Sequence, residues 1–408
     1  MINAKNSIKN CITLFQETIL YSLYRIVVLR SASGGSRTQK ILIAAPGNGN
    51  IGDQAMLEAY LENTSGEVVV VVRDESDIQV PDAEKDRTRV AELPNLIYGS
   101  PSVAHFREIS LFASLASTAT EVAVVGADIM DGAYNPKASA RRANMLRLAN
   151  RMGADSKVLG FSWNGRPTTA SRQFLKRATL AGTQLYVRDP ISASRARGDG
   201  LSNVVETADM VFSATKMSEI VADKIVGNLS GQKIALVNIS AHIEQSVPQI
   251  EDYVELTNGL ISQGFNVFVI PHVSRTTSDD IELSRVLVDR VKSPQVELVD
   301  ELLEPAAIRS LAHRASIVVS GRMHLSIIAL SQGVPAVVLD SQGKVKGLEI
   351  LFPEHFACIE PRAGFAFVAL EAALRLHPRS VPVEHLSAVQ RKSLTQFQPV
   401  CAAGAGNE

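Results

Sequence analysis

Arg322 and His324 stand two residues apart in Ser320-Gly321-Arg322-Met323-His324. A guanidinium presents a planar fork of donors that suits phosphate or carboxylate, and an imidazole can give up a proton near neutral pH. At the start of an apolar helix, this spacing lets both side chains reach one side while Leu325 and Ile328 pack inward. Gly333-Val334-Pro335 and Lys344-Val345-Lys346-Gly347 follow, and Lys344 adds a candidate cation. Near the other end of the chain lies Gly47-Asn48-Gly49-Asn50-Ile51-Gly52-Asp53. Its glycines let backbone N–H groups of Asn50 and Gly52 approach a ligand, and the following helix N-terminus favours an anion. The segment is neither a Walker A loop nor a clean G-x-G-x-x-G. Asp53 suits an N-cap as well as a proton acceptor. The chemistry these residues suit is anion binding combined with proton transfer.

Both segments sit where an apolar strand ends and a helix begins. Open α/β sheets bind ligands there, outside the carboxyl ends of the strands. The continuous runs Glu67–Val72 and Glu121–Val125 read as strands buried on both faces. Strands and helices alternate after Lys40, which implies parallel, doubly wound sheets. The expected division is a basic amphipathic segment over 1–39, a Rossmann-like domain over 40–215 and a linker helix over 216–232. A second Rossmann-like domain covers 233–360, and terminal helices with a frayed tail cover 361–408. The Gly-rich turn is expected to face the Arg/His pair across a cleft.

The 408 residues suit two cores. With 46% apolar and 20% charged residues, the composition is that of a globular protein. A formal net charge of -1 and the lack of a dense basic run argue against nucleic acid as a partner. Cys11, Cys358 and Cys401 form neither a disulfide framework nor a metal spacing. A reducing, cytoplasmic setting follows, with no metal and no cofactor expected. Cys11 to Leu29 is apolar but interrupted by Gln16, Glu17 and Arg25, a poor transmembrane span. Lys5, Lys9, Arg25, Arg30, Arg37 and Lys40 make the region basic. Two readings stand: a helix lying on the anionic inner face of a membrane, or one packing on its own protein or a second subunit. Ser31 to Ser36 reads as a flexible joint.

The motifs resemble those of the polysaccharide pyruvyl transferases. Asn-Gly-Asn-Ile-Gly-Asp, Ser-x-Arg-x-His, the apolar helix, Gly-Val-Pro, a strand and Lys-Val-x-Gly all have counterparts there. So do Gly126-Ala127-Asp128-Ile129-Met130-Asp131, Gly160-Phe161-Ser162 and Val187-Arg188-Asp189 followed by Ser192, over roughly residues 41–352. A departure is Gly126-Ala127-Asp128, with a carboxylate where the family carries glycine. The resemblance implies two Rossmann-like domains around a cleft, as in GT-B glycosyltransferases. It implies transfer of pyruvate from phosphoenolpyruvate to a sugar, polymeric or lipid-linked, of a cell-surface polysaccharide such as an exopolysaccharide. Arg322, His324 and Arg188 are the implied donor contacts.

That chemistry fits the residues. Phosphoenolpyruvate carries a phosphate and a carboxylate, for which Arg322, Arg188 and Lys344 are candidate cations. His324 is the candidate acid, and Asp53 or Asp128 the candidate base for a sugar hydroxyl. Trp163 suits stacking on a sugar ring or burial. His272, after a strand and Pro271, suits the mouth of the second domain or an ordinary loop. The competing functions are a nucleotide-sugar glycosyltransferase on the same architecture and a non-catalytic glycan-binding protein.

Overall fold

The β-branched runs become central strands because helices cover both faces of their sheets. The computed structural model describes residues 2–29, 36–227, 229, 231–340 and 345–400. Most of the expected joint at Ser31–Ser36, Lys344 and the expected tail Ala402–Glu408 lie outside those residues.

In the first unit, seven strands form a parallel sheet: β1 (Gln39–Ile43), β2 (Glu67–Val72), β3 (Thr88–Glu92), β4 (Ala119–Val125), β5 (Asp155–Phe161), β6 (Gln184–Val187) and β7 (Val204–Glu206). Their order is β3-β2-β1-β4-β5-β6-β7, so the winding reverses where β1 meets β4. The helices are α1 (Ile2–Leu29), α2 (Ile51–Glu62), α3 (Pro94–Ile97), α4 (Val103–Ser117), α5 (Pro136–Met152), α6 (Thr169–Leu180) and α7 (Pro190–Gly198). Local sequence explains several starts. Asn135 and Asp189 each accept a hydrogen bond from the first turn of their helix, and each is followed by a proline whose fixed φ suits the first helical position.

One side of α1 belongs to this unit's core. Leu20, Tyr21 and Tyr24 are buried, and Glu17 pairs with fully buried Arg141 at 3.0 Å. Tyr24 Oη and His105 Nε2 lie 2.7 Å apart. The packing reading of the basic segment therefore holds for this side of the helix. No described helix is long and apolar enough to cross a membrane.

The second unit carries α8 (Glu219–Val226), β8 (Lys233–Asn238), α9 (Ala241–Glu244), α10 (Ile250–Ser262) and β9 (Phe265–Val269). A two-residue antiparallel pair, β10 (Ser274–Arg275) and β11 (Ser278–Asp279), follows. Then come α11 (Asp280–Val291), β12 (Val296–Leu298), α12 (Pro305–Arg314), β13 (Ile317–Ser320), α13 (Met323–Ser331), β14 (Ala336–Leu339), α14 (Lys346–Leu351), β15 (Phe356–Ile359), α15 (Phe365–Leu376) and α16 (Val383–Leu394). The six-stranded parallel sheet has the order β12-β9-β8-β13-β14-β15, reversing where β8 meets β13.

The two compact units differ from a simple split near residue 215. One comprises residues 1–46, 60–210 and 393–408; the other comprises 47–59 and 211–392. The Gly-rich segment joins the second unit because its backbone is bonded there, through an Asn50–Val273 bridge and an Ile51 N–H to His272 carbonyl bond. The expected linker region is likewise part of that unit. Ser218, just before α8, donates its N–H to Ser310 Oγ at 2.9 Å. The chain end returns to the first unit, where Gln396 Oε1 accepts the Gly160 N–H at 2.7 Å.

Candidate active site

The second unit's reversal point gathers the ends of β9, β8 and β13, three neighbouring strands. Asn238 at the end of β8 donates to the Ile270 carbonyl at 2.9 Å, and its own carbonyl accepts the Tyr253 hydroxyl at 2.8 Å. Gly321 N–H also reaches that carbonyl at 3.0 Å. A Cβ on Gly321 would lie 2.6 Å from Ser240 Cβ, so the turn after β13 requires glycine for close approach.

Arg322 and His324 open α13 at this point. Arg322 is oriented by Asp280, the first residue of α11. Nε donates to Oδ2 at 3.1 Å and Nη2 to Oδ1 at 2.7 Å, and Nη2 also reaches Ser278 Oγ at 3.0 Å. Asp280 is fully buried and also accepts backbone N–H groups from Ala241 at 2.9 Å and Val273 at 3.0 Å. One carboxylate thus ties the loops after β8 and β9 to the arginine after β13. Nη1 lies outside these bonds, and 17% of the Arg322 side chain remains open.

The Gly-rich segment reaches the same place. Ser274 N–H donates to the Gly49 carbonyl at 2.9 Å. Arg275 Nε donates to the Asn48 carbonyl at 2.8 Å, and its Nη2 pairs with Asp53 Oδ2 at 3.3 Å. Gly49 has φ +73° and passes so close to Ser274 that a Cβ would meet its carbonyl oxygen at 2.1 Å. At Gly52 a Cβ would come to 2.3 Å from His324 Nδ1. The first turn of α2 is therefore packed directly on the catalytic candidate, and a side chain at position 52 would force the imidazole to shift.

Several expectations change. Asn50, not Asp53, caps α2, because Gly52 N–H donates to Asn50 Oδ1 at 3.0 Å. With Ile51 N–H bonded to the His272 carbonyl as well, these two N–H groups at the start of α2 are used internally rather than held out for a ligand. Asp53 is paired with Arg275. His272 is buried at 1% exposure, with no hydrogen-bond partner on either ring nitrogen among the described residues, so it lines no open mouth. Burial, then the neighbouring His324 and Arg322, hold its pKa well below the usual histidine value.

The remaining candidates belong to the first unit. Arg188 is buried, paired with Asp209 at 2.9 Å and donating to Ser162 Oγ at 2.7 Å. Asp128 accepts the Tyr134 hydroxyl at 3.1 Å. Ala127 before it adopts φ 42°, a left-handed conformation that glycine enters more easily. Trp163 is fully buried and donates Nε1–H to Asp199 at 2.7 Å, which leaves no ring face for a sugar. Its apolar mass is retained by the core, where it meets Phe161 edge-on. Sequence reasoning missed Asp280 and Arg275. The available signal was the polar run Ser274–Asp280 a few residues after a strand, with paired carboxylates at a helix start. Among the described residues, no three His, Cys, Asp or Glu side chains are grouped to hold a metal.

The His272 environment sets a pH dependence. Its folded pKa lies below the unfolded value, so the unfolded chain binds the extra proton as pH falls below about 6.5. The stability it supports is complete above that value and is lost on acidification, at up to about 1.4 kcal/mol per pH unit. Thermal or urea melts from pH 8 down to about pH 5 should show this slope in the wild type. It should be reduced in His272→Asn; parallel slopes would remove His272 as the cause.

The architecture defines a class: two Rossmann-like α/β domains of the GT-B kind. Similar solved structures include the UDP co-structure of MnaA from S. aureus, with TM-score 0.58 and 12% identity over 90% of this chain and 100% of that one. A putative UDP-N-acetylglucosamine 2-epimerase from Listeria monocytogenes matches with TM-score 0.55 and 10% identity, covering 88% and 94%. A ugt transferase from Siraitia grosvenorii in complex with UDP matches with TM-score 0.52 and 13% identity, covering 90% and 96%. At these identities the likeness is one of fold. No curated protein matches the sequence. Residues 50–343 match the polysaccharide pyruvyl transferase family, and the chain belongs to it.

Proposed function

We propose that this transferase moves pyruvate from phosphoenolpyruvate to two hydroxyls of a sugar in a cell-surface polysaccharide or its precursor. The observation that carries this reading is the Arg322–His324 pair at the second unit's reversal point, with Arg322 aimed by buried Asp280. Arg322 supplies charge to the phosphate or carboxylate of the donor. His324 protonates the methylene carbon, a sugar hydroxyl attacks C2, and the bond from C2 to the phosphate oxygen breaks. The second hydroxyl then closes the ketal. Of the two hydroxyl protons, one balances that delivered to the methylene and the other leaves with phosphate.

Phosphoenolpyruvate is expected to raise the melting temperature, because a ligand that binds only the folded state stabilises it; at a hundredfold excess over Kd the gain is about 2.7 kcal/mol. Incubation with a panel of lipid-linked sugars should then release phosphate and add a pyruvate ketal by mass. Stabilisation by UDP-sugars without any by phosphoenolpyruvate would instead favour a glycosyltransferase.

A further inference from the structure

The side of α1 turned away from the core carries Ile12, Phe15, Ile19, Leu23 and Ile26, all exposed, with Phe15 at 69%. Their spacing keeps them on one stripe of the helix. The buried side, with Glu17, Leu20 and Tyr24, fixes which way the helix faces. The stripe is therefore presented outward.

The charge beside it is basic. The helices α4, α5 and α6 pack with α1; α5 and α6 carry Arg147, Arg151 and Arg177 on this side, and α1 itself carries Arg25. The four helices contain two carboxylates, Glu17 and Glu108, and both are buried. Arg147 stacks 3.7 Å over the Tyr21 ring, and Arg177 donates to Thr18 Oγ1 at 3.0 Å. Burial, and then the like charges of Arg177, Arg151 and Arg25, lower the Arg147 pKa, with Tyr21 opposing. These arginines lie close enough to feel one another. A chain of net charge -1 has thus concentrated cations around one apolar stripe.

We propose that this face of the first unit docks on an anionic lipid surface, with the α1 stripe entering the headgroup–acyl boundary and the arginines meeting the headgroups. An amphipathic helix with a basic rim binds in this way, by buried apolar area plus attraction to anionic lipid. A second copy is a poor occupant, because a two-fold contact would set this cationic surface against itself with no exposed carboxylate on the four helices to answer it. The inference concerns binding alone and stands whether or not the transfer reaction is as proposed.

The test is co-sedimentation of the full chain with phosphatidylcholine vesicles, with and without phosphatidylglycerol. Binding is expected to the anionic vesicles only and to weaken with added salt. Phe15→Ser should weaken it about tenfold or more, and Arg25→Gln or Arg151→Gln about fivefold each. All three sites are exposed, so the melting temperatures should stay at the wild-type value, confirming folded variants. Absence of binding to anionic vesicles, or binding indifferent to Phe15→Ser, would overturn the proposal. So would a wild-type dimer that Phe15→Ser converts to monomer, since a second copy would then be the occupant.

Discussion

His324→Gln is expected to lower turnover in the pyruvyl transfer assay by about 10²–10⁴-fold, the contribution of a positioned general acid. Donor-induced stabilisation should be nearly unchanged, because Arg322 and its Asp280 support remain. The separation matters: loss of turnover without loss of binding marks an interaction made in the transition state. The imidazole is well placed for such a role. Its Nδ1 side is set against Gly52, where a Cβ would come to 2.3 Å, so the ring packs on the first turn of α2. Glutamine keeps a polar shape but carries no titratable proton. Near-normal turnover would assign the proton to another residue.

Asp280→Asn is expected to destabilise the protein by about 3–5 kcal/mol, the cost of removing one partner of a buried ion pair. The carboxylate is fully buried, accepts two nitrogens of Arg322 and binds the backbones of Ala241 and Val273. An amide can accept at only one atom and leaves the guanidinium without its countercharge. The neighbouring carboxylate is the control. Asp279 caps α11 by accepting Ile281 N–H at 2.8 Å, so Asp279→Asn should cost no more than about 1 kcal/mol. Urea denaturation of both variants decides the matter. A smaller loss for Asp280→Asn than for Asp279→Asn would show that Arg322 is held by something else.

The sequence by itself determined the architecture and singled out the candidate residues. Runs such as Glu67–Val72 and Glu121–Val125 point to strands covered on both faces, and their alternation with helices specifies parallel winding. Arg322 and His324 were legible because residue type and spacing at a strand-to-helix turn carry their meaning locally. Edge elements were not. β3 (Thr88–Glu92) and β15 (Phe356–Ile359) lie at the margins of their sheets, where one neighbouring strand suffices and a long apolar run is not needed. Trp163 and His272 showed their type but not their burial, which depends on what the rest of the chain stacks over them. Only the tertiary structure placed the Gly-rich segment in the same unit as the Arg/His pair. Its glycines serve close backbone approach to Ser274 and His324, a contact between residues far apart in sequence that no local pattern encodes. The same holds for Asp280. A carboxylate at a helix start looks like a cap, and it becomes the support of Arg322 only when β9, β8 and β13 are brought side by side.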